Sequence, residues 1–138
     1  MIDLSQKDYL SYEMAGDFKL VALSREGVKV KDFLTFAEKS GFSLNEWAEW
    51  LHISEPAHFL QSNGSDALEP FQAERLLELN RLFRFGEEVF GDPAMFRKWL
   101  RHKIIALGDI EPVSLLDNSF GIDIVRTELG RIEHGIFA

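Results

Sequence analysis

The chain has 138 residues, 46% of them hydrophobic, with twelve phenylalanines and three tryptophans, enough for a packed interior and too apolar for a disordered chain. It carries no cysteine, which excludes disulfides and thiolate metal sites and fits a cytoplasmic location. The net charge of −8 sets up a field that repels phosphate backbones and favours a basic partner surface.

No apolar run approaches the roughly 18 residues that span a bilayer, and Met1-Ile2-Asp3-Leu4-Ser5 lacks the layout of a signal peptide. In residues 1–16, Tyr9, Leu10, Tyr12 and Met14 mix with Asp3, Asp8 and Glu13 without a period, compatible with a short helix or an arm. Asp17 to Glu26 reads as a helix with Asp17 as N-cap and Gly27 as its stop; the run Leu20-Val21-Ala22-Leu23 also fits a short strand. Val30, Phe33, Leu34 and Ala37 mark one face of the next helix, which ends at Ser40-Gly41. Ser43-Leu44-Asn45-Glu46 has the form of a capping box, in which a serine hydroxyl and a glutamate carboxylate each satisfy a backbone donor at a helix start. The helix it opens carries Leu44, Trp47, Ala48 and Leu51 at i, i+3, i+4 and i+7.

All four prolines, Pro56, Pro70, Pro93 and Pro112, are placed as first-turn residues, where the missing N–H has no intrahelical partner to lose. The longest predicted helix runs from Pro70 to Phe90, with Leu76, Leu79, Phe83 and Phe90 as a seam that Leu82, Phe85 and Val89 widen. Gly91 ends it. Asp92 caps a helix bearing Phe96, Trp99 and Leu100, whose end, Arg101-His102-Lys103, complements the helix dipole. A loop around Gly108 leads to a short helix from Pro112 to Leu116. In the final helix Ile122, Val125, Leu129 and Ile132 share one face, and Gly135 terminates it. Almost nothing reads as strand, so the fold class is all-α.

Leu44 to Gln61 has the form of a helix-turn-helix, whose second helix would begin Glu55-Pro56-Ala57-His58. Base readout draws on Arg, Lys, Asn and Gln, and phosphate contacts from Lys and Arg supply most affinity. From Gly41 to Leu68 there is neither Lys nor Arg, against Glu46, Glu49, Glu55 and Asp66. The pair of helices therefore reads as kept for packing or dimerisation. Any DNA contact is expected outside it, on Lys29, Lys31 and Lys39. No enzyme signature is present. His52, His58, His102 and His134 lack the i, i+4 spacing of a helical metal site, no phosphate loop or nucleophile elbow appears, and Glu87 and Glu88 point about 100° apart on a helix. No cofactor or metal is expected.

From Leu76 onward the residues Glu88-Val89-Phe90-Gly91-Asp92, Trp99-Leu100, Ala106-Leu107-Gly108, Glu111 to Leu116, Gly121, Val125 and Leu129 to Gly135 resemble the toxin-binding domain of the Xre/MbcA/ParS antitoxins. The upstream helices resemble that family's Xre-like half. The resemblance implies a helix-turn-helix region over residues 1–68 and a toxin-binding domain over 69–138. It implies a partner and not a catalyst: a cognate toxin, frequently a RES-domain protein that depletes NAD, with the antitoxin's last residues at the toxin's active-site entrance. Carried onto this chain, those are Arg131, Glu133, His134, Gly135, Ile136, Phe137 and Ala138. Family members commonly dimerise, and those that bind operator DNA carry a threonine and arginines in the second motif helix, a pattern from which this chain departs. The alternatives are a repressor of its own operon and a helical dimerisation module.

Overall fold

The computed structural model describes residues 14–62 and 64–135. Among these the secondary structure is helical, with two isolated bridges, Lys29 with Ala67 and Ile104 with Ile110, as its extended pairings. The helices are α1 (Met14–Glu26), α2 (Val30–Lys39), α3 (Leu44–Leu51), α4 (Pro56–Phe59), α5 (Pro70–Phe90), α6 (Pro93–Leu100) and α7 (Ser119–Glu133). Two 3-10 turns, Ile105–Leu107 and Pro112–Leu115, lie between α6 and α7. The chain divides into two compact units at Asn80 and Arg81, so that α5 contributes its first half to one and its second half to the other.

Each proline opens its element, as the lost-donor argument requires. The capping box forms: Glu46 N–H donates to Ser43 Oγ at 3.1 Å, and Ser43 N–H to Glu46 Oε1 at 3.0 Å. Asp92 caps α6 through Ala94 N–H at 2.9 Å. Two boundaries differ from the sequence reading, and the start of the last helix, left open there, is defined. α1 starts at Met14, ahead of the expected Asp17, and the Leu20–Leu23 run is helix. The expected helix over Pro112–Leu116 is a tighter 3-10 turn of four residues. α7 begins at Ser119, capped by the Asn118 side chain, which accepts from Gly121 N–H at 2.9 Å. Residues 1–13, where a short helix or arm was expected, lie outside the described residues.

In the first unit α2, α3 and α4 pack on one another around Trp47, whose ring is fully buried. Its indole N–H donates to Ser40 Oγ at 2.9 Å, and its ring meets Phe33, Phe36, Phe42 and Trp50 edge-on at 5.0–6.4 Å. Phe59 of α4 meets Phe33 at 6.2 Å, which ties the short helix into the same cluster. The first half of α5 joins through Arg75, only 5% exposed. Its guanidinium donates to the Trp50 carbonyl at 3.1 Å, pairs with Glu78 at 3.2 Å and lies over Phe71. A buried cation is tolerable only when paired and hydrogen-bonded in this way.

In the second unit Phe96 packs against Phe83, Phe90 and Trp99 at centroid distances of 5.8–6.3 Å, over the bare backbone of Gly86. α7 buries Ile122, Val125 and Leu129 and packs on the 3-10 turn Pro112–Leu115, which in turn packs on α6. The seating is close: a Cβ on Gly121 would collide with the Leu115 carbonyl, which is backbone and cannot swing aside. Gly121→Ala is therefore expected to cost about 1–3 kcal/mol. A thermal melt should show it as a lower midpoint, while Gly130→Ala, where a Cβ meets open space, should leave the midpoint unchanged or slightly raised.

Candidate functional site

In α7 the residues opposite the buried stripe form a second face. Phe120, Ile124, Thr127 and Arg131 fall at i, i+4, i+7 and i+11, and all are exposed. Phe120 is 84% exposed and Ile124 48%. Beside this face stands the loop from Ile104 to Ile110. It closes on itself: Ile104 N–H donates to the Ile110 carbonyl, the Ile104 carbonyl accepts from both Leu107 and Asp109, and Gly108 N–H donates to Ile105, each at 3.0 Å. Gly108 and Asp109 take positive φ, 84° and 62°, to turn the chain; glycine does so freely and aspartate with little strain. The loop holds Ile105 out at 88% exposure. Phe120, Ile124 and Ile105 thus present apolar side chains to solvent from two ordered elements.

Between the two elements lies an open concavity of about 320 Å³, walled by Ala106 and Leu107 on the loop and by Asp123, Ile124, Glu128 and Arg131 on α7. Glu128 is 7% exposed. Its carboxylate stands 3.8 Å from the Arg131 guanidinium, an ion pair but longer than a hydrogen bond. Asp123 pairs with Arg126 one turn away. Charge is segregated along this part of the chain. Residues 93–103 hold Arg97, Lys98, Arg101 and Lys103 and no acid, while 104–135 hold six acids against two arginines.

The expected terminal residues separate into three groups. Arg131 walls the concavity. Glu133 and His134 are exposed, with His134 Nε2 at 4.0 Å from the Glu133 carboxylate, and Gly135 turns at φ 71° with its N–H on the Ile132 carbonyl. Ile136, Phe137 and Ala138 lie outside the described residues. The concavity, Phe120, Ile124 and the loop were not singled out from the sequence. The available signal was the second stripe on α7, Phe120 and Ile124 in phase with Arg131.

In the helix-turn-helix, His52 ends α3 in the left-handed region at φ 57°, its ring 5.3 Å from Phe71, and α4 is a single turn of four residues. Glu55 and His58, at the position where bases would be read, face each other at 2.8 Å. Lys31 and Lys39 are exposed on α2, whereas Lys29 is half-buried at its N-cap.

Residues 85–135 match the antitoxin Xre/MbcA/ParS C-terminal toxin-binding domain, and residues 19–81 match the antitoxin Xre-like helix-turn-helix domain. The chain belongs to the Xre/MbcA/ParS antitoxins. It is similar to an antitoxin Xre of Photorhabdus laumondii subsp. laumondii, 26% identical over 85% of this chain and 80% of that protein. It is also similar to a protein of Sphingobium sp. named Prs ADP-ribosylating antitoxin, 24% identical over 94% of this chain and 87% of the relative. An antitoxin is a binding protein and not an enzyme; its ligand is a cognate toxin, and the concavity and α7's outer face lie inside the toxin-binding match. No helix among the antitoxin's described residues is long and apolar enough to cross a membrane.

Proposed function

We propose that this antitoxin silences its toxin by occluding the active site, with residues 131–138 as the plug, and that the toxin is a RES-domain protein consuming NAD. The carrying observation is the layout of α7: its last fully buried side chain is Leu129, and Arg131, Glu133, His134 and Gly135 are exposed beyond it. The name of the Sphingobium relative refers to ADP-ribosylation, a chemistry that draws its ADP-ribose from NAD, and so supports an NAD-consuming partner. Glu133 supplies a carboxylate for a cation that otherwise holds a substrate phosphate. Ile136 and Phe137 supply apolar area worth about 1.5–3 kcal/mol each when enclosed. Homodimerisation is part of the proposal, since family members commonly dimerise. Co-expression with the neighbouring gene tests it: the pair should co-purify, cells should grow, and NAD should fall when the antitoxin is withdrawn. A neighbour that neither binds nor lowers NAD overturns the reading.

A repressor role is the second reading, because the helix-turn-helix domain is present. The one-turn α4 and the Glu55–His58 pair weigh against it. Gel-shift titration of the antitoxin with its own promoter should show no sequence-specific shift below about 1 μM, the tight edge of ordinary non-specific binding. A salt-sensitive, specific shift at lower concentration would establish the repressor.

A further inference from the structure

The proposed plug explains inhibition but does not say what holds the toxin. We infer that the toxin is held by the outer face of α7 and the Ile104–Ile110 loop, with a basic side chain of the toxin entering the concavity to meet Glu128. This rests on the antitoxin reading and adds the docking surface to it.

Three observations carry it. Phe120, Ile124 and Ile105 expose apolar side chains from the two elements that wall the concavity, an arrangement with no evident role in holding the second unit together. Glu128 sits in that wall, more than nine-tenths buried, with Arg131 as a long-range counter-ion at 3.8 Å. Its carboxylate is not sealed in the interior but meets the open side of the concavity, within reach of an incoming group. A lysine or arginine arriving through the open mouth would pair with the carboxylate, and a guanidinium would do so with two parallel hydrogen bonds. Finally, the surrounding segment is acidic, with Asp109, Glu111, Asp117, Asp123, Glu128 and Glu133 against Arg126 and Arg131, both of which are already ion-paired to acids of α7. The complementary occupant is therefore a cation set within an apolar surface. A second copy of this segment, equally acidic, is a poor match.

The test uses the full-length chain and its co-expressed toxin, with affinity measured by calorimetry or surface plasmon resonance. Phe120→Ser and Glu128→Gln should each weaken binding by about tenfold or more, the scale of truncating a buried contact or one partner of a buried charge pair. Phe120 is so exposed that its variant should keep the wild-type melting midpoint, so lost affinity there cannot be assigned to unfolding. A variant lacking residues 133–138 should still bind, because it keeps the whole surface. If either substitution binds within about twofold of wild type, the docking surface is wrong while the antitoxin reading stands. If wild type itself neither binds nor neutralises the toxin, both fail. If Phe120→Ser instead splits a toxin-free dimer into monomers, the face belongs to a second copy and the inference is overturned.

Discussion

An antitoxin ending at Ile132 should fold and bind its toxin but leave it active. The removed residues that are described, Glu133, His134 and Gly135, are exposed, and none of these belongs to the core: the buried stripe of α7 ends at Leu129, with Ile132 half-buried after it. Circular dichroism should show helix content and melting midpoint close to those of the full chain. The functional loss should be nearly complete, because enclosure of Ile136 and Phe137 is worth about 1.5–3 kcal/mol each and occlusion needs the plug to occupy the entrance most of the time. Growth arrest and NAD loss on co-expression are the readouts. If the shortened chain still rescues growth, the occluding element lies elsewhere, and the concavity on α7 becomes the candidate for inhibition as well as attachment.

The second large effect is structural. Trp47→Ala should destabilise the first unit by about 3–5 kcal/mol, a large share of the roughly 5–15 kcal/mol that holds a domain together. The deletion removes a fully buried indole, four edge-on aromatic contacts and the bond to Ser40 Oγ in one step. Urea titration followed by circular dichroism should show an earlier midpoint. Trp47→Phe should fall between the two, keeping a ring among Phe33, Phe42 and Trp50 but giving up the hydrogen bond. A shift below about 1 kcal/mol for the alanine variant would mean that the aromatic cluster is not what holds these helices.

What could be read beforehand was local. The capping box at Ser43, the Asp92 cap and the proline starts are decided by neighbours within four residues, and each was legible for that reason. The apolar stripes of α2, α3 and α5 were legible because periodicity fixes which residues share a face. Periodicity does not say whether a face is covered. Trp50 and Arg75 are buried by partners distant in sequence, the Trp50 carbonyl being 25 residues from Arg75, and neither was expected in the core. Phe120, Ile124 and Ile105 pose the inverse case: apolar residues that a packing argument assigns to an interior and that the fold leaves outside. No start was assigned to α7 because Ser119-Phe120-Gly121 shows no stripe, and it is Asn118 that sets the boundary. Of the terminal segment, the family resemblance suggested the proposed role, and the fold shows only the end of α7 before it.

The self-closed loop from Ile104 to Ile110 bears on how fast a complex comes apart. Its tip is already fixed by four backbone hydrogen bonds, so covering Ile105 requires no freezing of the main chain, a cost that runs to about 1–2 kcal/mol for each residue ordered. A partner should therefore find the loop in its bound form and gain residence time instead of spending affinity on ordering it. The sign of this would be visible without any toxin: the amides of Leu107, Gly108 and Asp109, exposed as the segment is, should exchange with solvent deuterium more slowly than those of an unstructured peptide, and capture of the toxin should slow them little further.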